Sequence, residues 1–310
     1  MNGSMFDSSE PNESLTSRRN WQPGDTPIAV VMISLNEAHN MEAVIQNLMG
    51  WAQEVFLVDS YSSDSTLDIA LKHGVKVVQR GFRGFGDQWN FAANELPINA
   101  PWTMKLDPDE RLTDTSKQEI KSAISNGTFD AYACHVRLFF MGRALPIRLK
   151  LTRVWRTGSA KFGLVEANEH ALVRGSIGCV SGDIEHHDSP DLEHWLNKQN
   201  KYTTAEAITA YQQGTLADTP KLLGTPLQRR IWLKKNFYRI PGRYQFLFFY
   251  HWLLQGAWRA GRVGFIWASL RVGVMRMVEY KRVEMELTGK LPAKHATRIG
   301  EPDSRVPQHY

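Results

Sequence analysis

Cysteine is nearly missing from this 310-residue sequence: Cys134 and Cys179 are the only two, and neither sits at a metal-ligand spacing. A disulfide scaffold is not expected, and two buried thiols in a reduced compartment are. No run of 18 apolar residues occurs, which argues against a standard transmembrane helix. No signal-peptide pattern opens the chain; residues 1–26 are polar, rich in Ser, Asn, Pro and Gly, and expected to be a disordered leader. No dinucleotide fingerprint follows the first strand-like run, because Gly81, Gly84 and Gly86 lack its spacing, and a Walker loop is absent. Acids are scarce in one stretch: from Lys221 to Arg282 there are 13 Lys or Arg and a single acid, Glu279.

What is present describes a globular domain with a sizeable core, at 42% hydrophobic and 22% charged residues. "IAVVMIS" (28–34), "EVFLVDS" (54–60), "VKVVQ" (75–79) and "WTMKLDP" (102–108) read as strands. Helical segments lie between and after them: "NEAHNMEAVIQNLMGW", "SSDSTLDIALKHG", "GDQWNFAANEL" and "TDTSKQEIKSAIS". Such alternation predicts an α/β fold, a Rossmann-like, mostly parallel sheet with helices on both faces. Ligands of these sheets bind beyond the carboxyl ends of the strands, where Asp59 and Asp107 sit. After Gly127 strands and hairpins take over, and from Asp191 helices return. The expected division is a catalytic domain over 27–190, a helical region over 191–290 and a flexible tail over 291–310.

"MKLDPDERLT" (104–113) carries the densest chemistry. Pro108 ends the strand. In an extended segment residues i and i+2 share a side, so Asp107 and Asp109 could face one ligand. Paired carboxylates repel unless a cation lies between them or one is protonated. Mn²⁺ or Mg²⁺ would suit, since both accept one or two carboxylates together with substrate phosphates. Asp-Pro-Asp is equally good turn chemistry. In "VDSYSSDST", Asp59 ends a strand and could accept hydrogen bonds from a nucleobase or ribose, while Asp64 reads as a helix N-cap.

Taken together, "VVMISLNEAHN", "VDSYSSDST" and "LDPDE", in that order, resemble the inverting glycosyltransferases of family two, whose fold is called GT-A, and among them bacterial enzymes of lipopolysaccharide-core and exopolysaccharide synthesis. "QWNFAAN", "NEH", "IEHHD" and "WLNKQNKY" fit the same pattern, so the resemblance spans roughly residues 27–280. Pro108 stands where relatives often have Ala or Ser, and no glycine lies between Asp59 and Asp64. The resemblance implies a nucleotide-sugar donor, UDP-linked with UDP-glucose as the first candidate, bound by Leu35, Asn36, Glu37, Asp59, Asn90, Asp107 and Arg153. It implies a divalent ion on Asp107, Asp109 and His186. It implies a general base at Glu169, with Glu166 as the other candidate, taking a proton from the attacking sugar hydroxyl.

The basic stretch after Lys221 is dense in Trp and Phe. Gln255, Arg259 and Arg262, at i, i+4 and i+7, suggest the polar face of one interfacial helix. The expected setting is the cytoplasmic face of an inner membrane, as a peripheral protein acting on a lipid-linked saccharide. A core helix is the plainer reading of part of this stretch. Nucleic acid fits less well, because the aromatics are too clustered for a stacking groove. A sugar-1-phosphate nucleotidyltransferase is disfavoured by the missing glycine-rich loop, and an inactive glycan-binding relative by the retained acids.

Overall fold

The computed structural model describes residues 21–163, 170–212, 221, 223–224, 228–229, 232, 236–237 and 240–292. The chain runs β1 (Thr26–Ser34), α1 (Ala38–Leu48), β2 (Ala52–Asp59), α2 (Thr66–Lys72), β3 (Lys76–Gln79), α3 (Phe85–Asn94), β4 (Trp102–Lys105), β5 (Glu110–Leu112) and α4 (Asp114–Asn126). It continues with β6 (Ala131–Phe140), β7 (Arg143–Arg156), β8 (Ala160–Phe162), β9 (Ala171–Val173), β10 (Ile177–His186) and α5 (Leu192–Tyr211). The last elements are α6 (Arg243–Phe249), a π turn (Tyr250–Leu254), a 3₁₀ turn (Ala257–Ala260) and α7 (Gly261–Thr288).

Eight strands form one sheet in the order β3-β2-β1-β4-β7-β6-β10-β5. Its first four strands are parallel, and β7 enters antiparallel between β4 and β6. The nearly unbroken apolar run of β1 follows from burial on both faces. Ile28, Val30 and Met32 pack under α1 and α4; Ala29 and Val31 pack under Trp89 of α3 and Phe162 of β8. This is the mixed α/β architecture, with helices on both faces of the sheet, that the alternation of strands and helices implies. Of the strands expected after Gly127, β6, β7 and β10 extend the same sheet, and β8 pairs with β9 in a second, two-stranded sheet.

The helices at the sheet edge are held at defined points. α4 is capped at both ends, by the Thr113 side chain accepting from Ser116 N–H (3.2 Å) and by Gly127 at φ +59°. α5 starts from Asp191, whose carboxylate accepts the His194 N–H at 2.7 Å. Phe140 and Trp195 then join α5 to the β6–β7 hairpin, with Trp267 of α7 in the same cluster. Lys281 of α7 donates to Asn200, Thr203 and Thr204, fixing the two helices together.

Three expectations are corrected. The attached chain begins before residue 26: Trp21 packs on the core, and Gly24 N–H donates to the Ala52 carbonyl at 2.9 Å. The single helix through Gln255, Arg259 and Arg262 is broken, because Gly256 (φ +77°) and Gly261 (φ +59°) adopt left-handed backbone that glycine alone takes readily. Helical spacing counted across a glycine pair does not register such breaks. Among the described residues no helix is long and apolar enough to cross a membrane.

The third correction concerns the thiols. Cys134 is buried on β6, where desolvation pushes its thiol up to about 12, whereas Cys179 on β10 is exposed. A native-state titration with an aromatic disulfide reagent at pH 8 should therefore consume one thiol quickly and the second only in denaturant. Two fast thiols would contradict the burial of Cys134.

Candidate active site

β1, β2 and β4 are parallel, so Ser34, Asp59 and Lys105 end at one edge of the sheet. Past β4 the chain turns at once. Glu110 N–H donates to the Asp107 carbonyl (2.9 Å), and the Glu110 carboxylate accepts the Asp107 N–H (3.0 Å). Pro108 supplies the fixed φ for this turn. Arg111 locks it to α1 by donating to the carbonyls of Pro108 (2.6 Å) and Asn40 (3.0 Å). Strand alternation therefore does not relate Asp107 to Asp109, since a turn lies between them.

The two aspartates have different partners. Asp107 Oδ2 lies 3.4 Å from both terminal nitrogens of Arg153, and Asp107 Oδ1 lies 3.9 Å from Lys105. Arg153 reaches this point because β7 pairs with β4, and its guanidinium also pairs with Glu110. Asp109 is carried instead to His186, since β5 pairs with β10 in a register that sets His186 against Glu110. His186 Nε2 is 3.1 Å from Asp109 Oδ2 and 3.9 Å from Asp188. Lys198 of α5 donates to Asp188 at 2.7 Å and to the same Asp109 oxygen at 3.5 Å.

Charge and burial compete throughout. Burial alone would raise the Asp109 carboxyl; His186 and Lys198 outweigh it and hold it well below the ordinary range. Burial would lower His186, but the Asp109 charge raises it to about 9. Lys198 is likewise raised against burial, by Asp109 and Asp188. Glu110 is pushed up to about 7 by burial, even with Arg153 opposing. Glu37, just ahead of α1, is pushed up to about 7 by burial and by the negative charge of Asp109.

The β1 and β2 ends are stitched together. Asp59 is fully buried and accepts from Ser34 Oγ (2.8 Å), Ser62 N–H (2.8 Å) and Gln79 (3.3 Å). Asn36 adopts φ +57°, its side-chain oxygen accepts Ser63 N–H (2.8 Å), and Leu35 beside it is half-buried. Asp64 does more than precede a helix, accepting from Thr66 N–H (3.0 Å) and from Ala38 N–H (3.1 Å) at the start of α1. Asn90 turns its amide to the Phe162 backbone, donating at 2.9 Å and accepting at 2.8 Å, and so fixes β8. The Phe162 ring lies 6.0 Å from Lys105 Nζ. Glu166 and Glu169 lie outside the described residues.

Asp188, Glu110, Lys198 and Tyr202 were not singled out from the sequence. His194, Lys198 and Tyr202 recur every fourth residue of α5, which is the one pattern that could have drawn attention to a polar helix face. The Tyr202 hydroxyl is pushed up to about 12 by burial, with Asp188 and Asp109 adding to the effect.

The donor set suits a hard divalent ion. Among the described residues, ligand atoms of Asp109, His186 and Asp188 lie within 4.8 Å of one another, two carboxylates and one imidazole. Asp107 stands outside this group, against Arg153. The imidazole would have to be neutral to ligate, and Lys198 already contacts both carboxylates.

Residues 29–170 match the profile described as Glycosyl transferase family 2. An uncharacterized glycosyltransferase of Rickettsia prowazekii is 26% identical over 204 residues, 60% of this chain and 69% of that one. The lipopolysaccharide core biosynthesis glycosyltransferase LpsC of Rhizobium meliloti is 25% identical over 253 residues, 77% of this chain and 86% of that one. The solved structure of S. aureus TarS 1-349 in complex with UDP-GlcNAc aligns with 85% of this chain and 92% of that one, at 15% identity and TM-score 0.45. That last likeness is too distant to carry over a ligand.

The Glu37 environment has a consequence in pH. With its folded pKa about 7 against an ordinary 4.5, the folded protein keeps a proton that the unfolded chain has released. Its contribution to stability is present below about pH 4.5 and declines as pH rises towards 7, by at most about 3 kcal/mol. Glu37→Gln should flatten this decline in urea midpoints measured from pH 5 to 8. Parallel pH profiles for the two proteins would contradict it.

Proposed function

We propose, from the premise that this chain carries a glycosyltransferase family 2 domain over residues 29–170, that it transfers a sugar with inversion from a UDP-linked nucleotide-sugar to a lipid-linked saccharide of lipopolysaccharide or exopolysaccharide synthesis. The observation that carries this reading is the Asp109–His186–Asp188 cluster at the edge where β1, β2 and β4 all end. A nucleoside would lie along Leu35, Asn36, Glu37 and the loop held by Asp59, with the donor diphosphate towards Asp107 and Arg153. Asp59 would act through the shape of that loop, given how fully Ser34, Ser62 and Gln79 engage it. Asn90 would act in the same indirect way, by holding β8.

Asp109, His186 and Asp188 would hold Mn²⁺ or Mg²⁺. Such an ion would supply Lewis-acid neutralisation of the departing nucleoside diphosphate. Glu169 is the proposed base. It would receive the proton of the acceptor hydroxyl as the oxygen attacks the anomeric carbon, with Glu166 as the alternative. The likeness to LpsC supports a glycan acceptor.

Peripheral attachment to an anionic membrane is the proposed setting. Phe246, Phe249, Tyr250, Leu253, Leu254, Trp258 and Phe265 are all exposed, Leu254 by 77%, and Arg259 and Arg262 are exposed beside them. Apolar side chains bordered by arginines suit the headgroup region of a bilayer.

Two measurements test these readings. Glu169→Gln should bind the nucleotide-sugar as tightly as the unaltered protein yet lose about 10²–10⁴-fold in kcat, because only proton removal is lost. Asp109→Asn should lose both transfer and its response to added Mn²⁺. Full activity of either variant would overturn the role given to that residue.

The second measurement is sedimentation with anionic vesicles. Binding should be strong at low salt and reduced, but not abolished, at high salt. Arg259→Gln with Arg262→Gln should weaken the low-salt binding roughly thirtyfold. Leu254→Ser with Phe246→Ser should remove the salt-resistant part. Absence of vesicle binding at every salt concentration would return this surface to an ordinary protein face.

A further inference from the structure

We propose that Lys198 stands beside His186 as a resident cation of the Asp109–Asp188 pair, and that a divalent ion enters this site by displacing the lysine ammonium group. The proposal rests on the metal reading of the cluster and adds a residue that competes for it.

Two carboxylates brought together at a buried strand mouth need a positive charge between them. Lys198 supplies one, donating to Asp188 Oδ1 at 2.7 Å and to Asp109 Oδ2 at 3.5 Å, with the Asp188 carbonyl at 3.4 Å. Asp109 is 7% exposed, so water does little of this work. The Lys198 side chain is 26% exposed, which leaves its flexible stem a way out. Its backbone, by contrast, is held. Asp191 caps α5, Trp195 lies edge-on to Phe140, and Lys281 grips Asn200, Thr203 and Thr204. The helix thus presents the ammonium to the acids while the side chain alone is free to swing.

Ligands of a divalent ion on Asp109 and Asp188 would include oxygens that Lys198 now occupies. A site blocked by its own side chain binds with an affinity reduced by the fraction of time it is open. Lys198 therefore sets the ion concentration at which the site fills. In the ion-free protein it keeps the two acids from repelling each other.

The test uses Mn²⁺ as probe. The free ion is counted by electron paramagnetic resonance over the unaltered protein, Lys198→Met and Asp109→Asn. Lys198→Met should bind Mn²⁺ at least tenfold more tightly than the unaltered protein, and Asp109→Asn should bind it worst. Removal of a nearby charge could tighten binding without displacement, so a second arm follows the lysine in the unaltered chain. Acylation by an amine-reactive ester, mapped by mass spectrometry, should rise several-fold at Lys198 when Mn²⁺ is added and stay level at Lys281. In Asp109→Asn the same addition should leave Lys198 labelling unchanged. Mn²⁺ binding with no change in Lys198 labelling, or equal affinity in Lys198→Met, overturns the displacement and leaves the metal reading standing. Failure of both the unaltered protein and Lys198→Met to bind Mn²⁺ overturns the metal reading, and the displacement with it.

Discussion

The arrangement of the strand mouth depends on one buried pair, Glu110 with Arg153. Both side chains are nearly inaccessible, at 2% and 5% exposure, and each arrives from a different direction. Arg153 comes on β7, the antiparallel strand wedged beside β4. Glu110 opens β5 and closes the turn that begins at Asp107. Removing one partner of such a pair strands the other charge in a low-dielectric interior, at a cost of several kcal/mol. With the pair formed, Asp107 is drawn to the arginine and Asp109 is turned to His186. The separation of two acids that stand only two residues apart therefore follows from a contact neither of them makes alone.

α5 is the second determinant, because it joins the site to the C-terminal region. Its Trp195 end packs on the β6–β7 hairpin, its middle offers Lys198 and Tyr202 to the acids, and its far end packs through Ala207 on Val278 and Met285 of α7. The exposed aromatic surface around Phe246 and Leu254 leads into that same α7 through the two glycine breaks.

Much of this was legible in the sequence, and the reasons are local. β-branched runs ending in Asp mark buried strands with polar mouths, so Asp59 and Asp107 could be placed at the carboxyl ends of the strands from the sequence alone. The helix within "TDTSKQEIKSAIS" was equally plain. What could not be read was which acids meet. Asp188 joins Asp109 only because β10 pairs with β5 in one register, and Lys198 joins them only because α5 crosses the edge. Neither fact leaves a trace in nearby residues. The assumed common side for Asp107 and Asp109 failed for a related reason: a period of two holds inside a strand, and Pro108 had already ended it. Glu166 and Glu169, which the motifs single out as candidate bases, lie outside the described residues.

Charge balance explains why ion and donor would enter the site together on the proposed reading. In the ion-free protein Asp109 and Asp188 are offset by His186 and Lys198, and Asp107 and Glu110 by Lys105 and Arg153. A nucleoside diphosphate alone would leave its own negative charge without a counter-charge at an edge whose acids and cations already offset one another. A divalent ion alone would meet two cations standing on its ligands. A diphosphate and a divalent ion arriving as a pair nearly cancel, and the displaced ammonium of Lys198 then has phosphate oxygens to turn to in place of the carboxylates it has lost. On that reading the same four acids, each already paired with a cation, would favour a ligand that carries its own counter-charge.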